Sequence, residues 1–321
     1  MAELVPPTLL DVVAARGRIR PYLLKTPLTY YHGLSSLLGC EVWVKHENHQ
    51  PIGAFKIRGG INLLSRMSAG DRAMGVITAS TGNHGQSIAY ASRLFGAKAT
   101  VCVQKGANPD KVAAMRALGA EIVEGKGDFD AARLMAVELA KEHGLRYIHT
   151  ANEPDLIAGV GTLALEMVED QPSLDVVIVA AGAGTLSSGV AIVYKAVSPG
   201  TRVVAVQTEA APSLYKSWRS GVVECSESAD TMADGLAVRR SFELPVDIVH
   251  RLVDEFVLVS EEELRAAIRV YVEKAHTIAE GAGAAPLAAA MKMRGGLAGK
   301  RVGLVLSGGN LTAAMLRDIL G

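Results

Sequence analysis

The sequence predicts an α/β fold with parallel-rich sheets flanked by helices, on three observations. Short β-branched runs alternate with helix-period segments along almost the whole chain. Most of those runs are unbroken Val/Ile stretches rather than alternating ones, as expected for strands covered on both faces. Glycine-rich turns join strand to helix or close a strand at three places. Strand, helix, strand in succession requires a parallel sheet with right-handed crossovers.

Taken in order, Thr8-Leu9-Leu10-Asp11 reads as a capped helix start, and the helix should run to about Ile19 before Lys25-Thr26-Pro27-Leu28 breaks it. A strand over 41–45 gives way to a Pro51-Ile52-Gly53 turn, and the helical pattern resumes at Phe55. Further strands are expected at 75–79, 99–103, 121–123, 147–150, 176–180, 203–207, 256–259 and 302–306. Helices are expected between them, among others at 85–95, 110–118, 129–142 and 261–274. No linker rich in Pro, Gly or Ser divides the chain, and there is no short-period repeat. A second domain is therefore expected as an insertion: 67–148, with four strands of its own, inside a larger domain made of 1–66 and 149–321.

With 321 residues and 49% hydrophobic content, the chain can bury a large core. Lys plus Arg and Asp plus Glu are equal at 33 each, which argues against nucleic-acid and membrane-surface partners. The N-terminus has no basic region followed by an apolar one, and no apolar run is long enough to cross a bilayer, so a cytoplasmic location is expected. Cys40, Cys102 and Cys225 are odd in number and far apart. They match neither a disulfide framework nor a Cys-x-x-Cys pair and are expected to be reduced, mostly buried thiols.

The chemistry centres on Val44 to Gly59, and within it on Lys56. A lysine near a helix N-terminus beside apolar neighbours is easily neutralised, because the helix dipole and the apolar flank both oppose its charge. It then becomes a nucleophilic amine. In a parallel α/β fold, ligands sit beyond the carboxyl ends of the strands, where strand-to-helix turns present free backbone N–H groups. Ser80-Thr81-Gly82-Asn83-His84-Gly85-Gln86 suits a carboxylate, and the His84 backbone is expected to matter more than its ring. Gly182-Ala183-Gly184-Thr185-Leu186-Ser187-Ser188-Gly189 suits a phosphate. Leu306-Ser307-Gly308-Gly309-Asn310 closes the last strand.

Three competing motifs fail on spacing. Gly182-x-Gly184 is followed by glycine at 189 where a dinucleotide fingerprint needs it at 187. Gly295 to Arg301 is similar to a P-loop, but Arg294 and Arg301 stand where Gly and Ser or Thr are required. His46 and His49 lack the helical spacing of a zinc pair and are expected at the surface or in hydrogen bonds.

Together, the Lys56 stretch and the three turns resemble the fold-type II pyridoxal-phosphate enzymes, in particular the threonine/serine dehydratase and serine racemase group. Lys45 to Gly59 is similar to that family's cofactor-lysine motif, and Ser80 to Gln86 to its substrate loop. Asn152-Glu153-Pro154, Thr231 to Ala237 and Glu280 to Ala284 also match, in family order. The resemblance implies a two-domain, tryptophan synthase β-like fold and a homodimer. It also implies pyridoxal 5'-phosphate held covalently by Lys56, with Phe55 near its ring, Asn83 on its 3-hydroxyl and Ser307 at its pyridine nitrogen. Gly182, Ala183, Gly184, Thr185 and Leu186 would hold the phosphate, Glu280 would join the cofactor contacts, and Ser80, Thr81, Gly82, Asn83 and His84 would receive the carboxylate of a small amino-acid substrate. The implied activity is dehydration of L-threonine or L-serine, with serine racemisation, another β-hydroxy amino acid such as 3-hydroxyaspartate or a phenylserine, or cofactor binding without turnover as rivals. In that reading the freed Lys56 amine takes the Cα proton and the cofactor phosphate helps protonate the leaving hydroxyl.

Three positions depart from the family pattern. The phosphate loop usually reads as four glycines, so Ala183 and Thr185 have either ordinary backbone angles or a reshaped loop around them. Racemases carry a serine that protonates the opposite face where this chain has Thr81; threonine keeps the hydroxyl, so Thr81 stands with Lys56 as an implied catalytic residue, but its β-branch restricts χ1 and weakens the racemase reading. Gln207 and Ser213 stand at the carboxylate positions of a divalent-cation site, so no tight metal is expected there. The chain is also expected to lack the regulatory domain of some biosynthetic threonine dehydratases.

Overall fold

A computed structural model describes residues 4–321. Among the described residues, ten strands fall into two sheets. The larger is built from β1 (Leu28–Tyr30), β2 (Glu41–His46), β7 (Val176–Ala180), β8 (Arg202–Thr208), β9 (Glu255–Val259) and β10 (Arg301–Leu306), in the order β1-β2-β10-β7-β8-β9. The smaller comes from β3 (Val76–Ala79), β4 (Ala99–Val103), β5 (Glu121–Glu124) and β6 (Arg146–Tyr147), in the order β5-β4-β3-β6. Every pair is parallel except β1 with β2.

Burial on both faces explains the unbroken apolar runs. In β7, Val177 and Val179 join the hydrophobic cluster shared with helices Pro154–Asp170 and Thr185–Val197. Val176, Ile178 and Ala180 of the same strand join the cluster on the opposite face, with helices Glu261–Ala275 and Gly281–Lys292. Period-2 alternation thus sends successive side chains into two different cores, and neither set can be polar. A third, smaller cluster of Ile77, Ala79, Cys102, Ala136 and Ala140 lies against the smaller sheet.

The first helix, Leu9–Ile19, starts at Thr8 with the expected capping box: Thr8 Oγ1 accepts from Asp11 N–H and Asp11 accepts from Thr8 N–H. Two expectations fail. The strand at 147–150 is only Arg146–Tyr147, because His149 Nδ1 accepts the backbone N–H groups of Ala151 and Asn152, both at 3.0 Å, and turns the chain out of extended geometry. Conversely, Leu28–Tyr30 after the Pro27 break forms an unforeseen antiparallel edge strand on β2. Cys40 and Cys102 are buried and Cys225 is exposed, all as free thiols. Among the described residues no helix is long and apolar enough to cross a membrane.

Candidate functional site

The carboxyl ends of β2, β3, β7 and β10 carry the chain into turns that border one cavity of about 660 Å³. It is lined by all fourteen residues singled out from the sequence, from Phe55 and Lys56 through the 80–84 and 182–186 turns to Glu280 and Ser307.

Lys56 is the first residue of helix Lys56–Arg66. The helix start is fixed on two sides: Phe55 N–H donates to Ser307 C=O (2.9 Å) and Ser87 Oγ donates to Lys56 C=O (2.6 Å). Lys56 Nζ donates to Thr185 Oγ1 at 2.8 Å and lies 5.2 Å from the centre of the Phe55 ring. Burial lowers its pKa from 10.5 to about 8. Neutral amine is therefore accessible near physiological pH.

Asn83 knits the turns together. Its Nδ2 donates to Glu280 Oε1 (2.7 Å), and its Oδ1 accepts from Asn310 Nδ2 (2.7 Å), which also donates to Ile52 C=O (2.9 Å). Asn83 Nδ2 keeps a second proton for a ligand. Burial pushes the Glu280 carboxyl up to about 7, against the pull of Lys111 and the Asn83 hydrogen bond.

In the 80–84 turn, Ser80 Oγ accepts from Gly82 N–H (3.2 Å) and Gly85 N–H (2.9 Å). It braces the loop and retains only its own proton to offer a carboxylate. The His84 ring bonds through Nε2 to Thr78 Oγ1 (2.9 Å). Thr78 already donates its one hydroxyl proton to Ile148 C=O (2.8 Å), so Nε2 is the donor and fixes the tautomer. Burial, with the nearby Lys56 charge, keeps this imidazole neutral well below its ordinary pKa. The one N–H of the neutral ring is thus committed to Thr78.

The 182–186 turn meets the first alternative posed by its unusual sequence. Gly184 has φ of 90°, while Ala183 and Thr185 have ordinary angles, since His276 is the only described non-glycine residue with positive φ. Gly182 is needed for close approach: a Cβ there would lie 1.9 Å from Gly235 C=O. In helix Thr185–Val197, Ser188 N–H donates to Gly184 C=O (2.9 Å), so the amides just ahead of it lie before the first intrahelical bond. They form an anion cradle at a helix N-terminus. Ser307, 2% exposed, closes the cavity at the end of β10.

The positions of the supposed cation site serve the fold instead. Gln207 Oε1 accepts from Leu214 N–H (3.1 Å) and Tyr215 N–H (3.0 Å) at the start of helix Ser213–Ser220, and Ser213 Oγ donates to Val238 C=O (2.6 Å). His46 is buried, hydrogen-bonded to Tyr31 (3.0 Å) and stacked on His49.

Sequence reasoning missed Asn310, Thr78, the Thr185 hydroxyl as a partner of Lys56, and ion pairs at the cavity mouth. Lys111 pairs with Asp234, and Arg239 with Asp130 at 2.7 Å. Asn310 stood inside the third turn and could have been chosen as an amide beside Ser307, and Thr185 was marked as a departure from glycine though not as a partner of Lys56; nothing in the sequence marked the others.

These residues fit pyridoxal 5'-phosphate: an amine of lowered pKa, a helix-start amide cradle for its phosphate, a spare Asn83 proton, and a neutral hydroxyl at Ser307. Comparison with known proteins gives the same cofactor. Residues 19–308 match the family described as pyridoxal-phosphate dependent enzyme. The chain is similar to L-threonine ammonia-lyase of Thermotoga maritima, with 39% identity over 98% of this chain and 78% of that protein. It is 36% identical to L-threo-3-hydroxyaspartate ammonia-lyase of Saccharomyces cerevisiae, over 96% of this chain and 94% of that protein. The maize serine racemase structure superposes with a TM-score of 0.93 at 29% identity, covering 98% of this chain and 97% of that one. The cavity's chemistry and these matches agree, and the chain belongs to the pyridoxal-phosphate dependent enzymes, with their fold-type II architecture.

Proposed function

We propose that the chain removes water from a β-hydroxy amino acid, first L-threonine or L-serine, to give 2-oxobutyrate or pyruvate with release of ammonia. The observation that carries this is the buried Lys56 amine, of pKa lowered to about 8 and hydrogen-bonded at 2.8 Å to Thr185 in the 182–186 turn of the same cavity. It is supported by similarity to a threonine ammonia-lyase along nearly the whole chain.

Bound pyridoxal 5'-phosphate supplies the electron-withdrawing ring that acidifies the Cα–H bond. Lys56 holds the cofactor through its amine and, when freed, takes the Cα proton as general base. The 182–186 amides would hold its phosphate, Phe55 would lie beside its ring, and the second Asn83 Nδ2 proton would go to its 3-hydroxyl, with Glu280 fixing the Asn83 amide. The turn from Ser80 to His84, with Thr81 and Gly82 between, receives the substrate carboxylate. Ser307 would offer the pyridine nitrogen a neutral hydroxyl, which could not hold a full proton there as a carboxylate would. Charge left at Cα is then less stabilised, and departure of the β-hydroxyl is its exit. Water leaves across Cα–Cβ and returns when the product enamine is hydrolysed, so ammonia is the net loss.

A second reading, a 3-hydroxyaspartate dehydratase, has one observation in its favour. Arg133 lines the cavity, and its acidic neighbour Asp130, 3.7 Å away, is already held by Arg239 at 2.7 Å. A substrate β-carboxylate could use that guanidinium. Keto-acid release from a panel of threonine, serine, threo-3-hydroxyaspartate and phenylserine separates the readings, and no keto acid from any of them would remove both. The reading also carries a division into 1–66 with 149–321 and an inserted 67–148, supported by the separate sheet of β3 to β6. A cytoplasmic homodimer completes it, and a monomer by light scattering would remove that part.

A further inference from the structure

We propose that the Thr185 side chain is a positioning residue for the Lys56 amine, a role separate from that of the Thr185 backbone in the phosphate cradle. The inference rests on the reading of Lys56 as the amine that alternates between holding the cofactor and acting as a base. Such an amine passes through a free state in every turnover, and something must aim it while it is free.

Thr185 Oγ1 is placed to do so. It accepts from Lys56 Nζ at 2.8 Å, on a residue 2% exposed. Three other buried helix hydroxyls bond back to their own backbone, Ser187 to Gly184 C=O (3.1 Å), Thr162 to Gly159 C=O (2.7 Å) and Ser217 to Ser213 C=O (3.0 Å), and Ser188 of the same helix makes no hydrogen bond. Thr185 is the first residue of its helix, so the carbonyls three and four positions earlier lie outside the helix, and its hydroxyl turns to the lysine instead. The β-branch restricts χ1 and fixes the direction of the hydroxyl. The backbone beneath it has little room to move, because a Cβ on Gly184 would sit 2.5 Å from Pro245 Cβ. The only other group described against the amine is the Phe55 ring, which can steady a cation but cannot orient a lone pair. A glycine at 185, the residue expected from the family pattern, would leave the free amine with no such partner.

As acceptor, Thr185 favours the ammonium form, while the freed neutral amine still donates one proton to Oγ1 and keeps its lone pair directed. Two consequences separate this role from a phosphate contact. The rate per bound cofactor depends on the hydroxyl even at pH values where the amine is neutral. The protonation midpoint of Lys56 also depends on it, whether or not cofactor is present.

The test compares Thr185→Val, which keeps the shape and loses the hydroxyl, with Thr185→Ser, which keeps the hydroxyl. In the holoenzyme, Thr185→Val is expected to lower kcat by about tenfold or more on the alkaline plateau, with KM and pyridoxal 5'-phosphate affinity within about threefold of the parent. Thr185→Ser should recover kcat to within about threefold. In the cofactor-free chain, the pH midpoint for acetylation of Lys56 by acetic anhydride, read by peptide mass spectrometry, should move downward in Thr185→Val and stay in place in Thr185→Ser. Weaker cofactor affinity with unchanged kcat at saturating cofactor would assign the hydroxyl to phosphate and overturn the proposal. An unmoved Lys56 midpoint in Thr185→Val, or a kcat loss that serine does not repair, would overturn it equally. A parent protein that releases no keto acid would strike the dehydratase reading instead, and the acetylation midpoints would still judge the Lys56–Thr185 pair.

Discussion

Two cations two residues apart on the same helix are treated in opposite ways. Arg58 points away from the cavity into a closed network. Its guanidinium donates to Glu47 through Nε and Nη2, both at 2.8 Å, and to Glu166 at 2.6 and 2.8 Å. Lys45 Nζ donates to Glu166 at 2.5 Å and to Thr26 C=O at 2.7 Å. Burial opposes the charge on Arg58, but the carboxylates of Glu47 and Glu166 outweigh it and raise its pKa. Lys56 receives one neutral hydroxyl, and burial lowers its pKa to about 8. Desolvation is common to both sites, and the two carboxylates around Arg58 outweigh it where the single hydroxyl beside Lys56 does not; Lys45 stands between them, because burial still lowers its pKa against the pull of Glu166.

The most severe way to break that contrast is at Lys56 itself. On the proposed reading Lys56→Ala would remove both the covalent anchor and the general base, and keto-acid release should fall by several orders of magnitude. Folding should survive, because no buried carboxylate is left unpaired; unchanged activity would sink the assignment of Lys56. Glu47→Gln should do the reverse. It strips charge from the fully buried partner of Arg58 and should cost about 3–5 kcal/mol of stability by denaturant melts. In the fraction that remains folded with cofactor bound, kcat should stay within a few-fold of the parent. A stability loss under about 1 kcal/mol would mean that the network matters far less than its burial implies.

The next effect is a matter of pH and sharpens the same comparison. With a folded pKa of about 8 against 10.5 for an ordinary lysine, Lys56 is charged in the folded chain only below about 8. In the cofactor-free protein the cost of burying that charge is therefore full below pH 8 and is relieved as pH rises from 8 to 10.5, where the unfolded chain binds the extra proton. The stability advantage of Lys56→Met over the parent should shrink across that window. The rate of pyridoxal 5'-phosphate capture should rise about tenfold per pH unit below 8 and level off above it. A midpoint near 10.5 would show that the amine is not desolvated.

How much of this could be read from the sequence depends on whether the cause is local. Unbroken Val/Ile runs and glycine turns are local, so the parallel sheets and the three glycine-rich turns at the cavity were legible from residues such as Val176–Ala180 and Gly182–Leu186, while lining segments such as 128–133 and 227–230 were not. The shortened strand at Arg146–Tyr147 was not, because a histidine two residues later captures the backbone amides. Nor was the Arg58 network, which joins Glu47, Arg58 and Glu166 across as many as 108 positions of sequence. The departure at Thr185 was visible as a missing glycine, but its partner became visible only once the fold brought two turns 129 positions apart to 2.8 Å.

The smallest expected effect concerns Thr81, which lines the cavity from the substrate turn. Unlike Thr185, it has no assigned partner here, so the two threonines test what a β-branched hydroxyl does when it is held and when it is not. If substrate holds it, with the hydroxyl directed at the substrate carboxylate as proposed, Thr81 with its restricted χ1 and added methyl cannot readily deliver a proton to the second face of Cα. L-Serine and L-threonine should then give pyruvate and 2-oxobutyrate with little D-enantiomer in the residual substrate. Thr81→Ser frees χ1 and removes the methyl, so racemisation should rise a few-fold relative to elimination, with elimination itself little changed. Chiral chromatography of residual serine, run beside keto-acid release for both forms, reads the ratio. D-Serine formed by the parent as fast as pyruvate would show that Thr81 already acts as the second acid, and the racemase assignment would then take precedence over the dehydratase one.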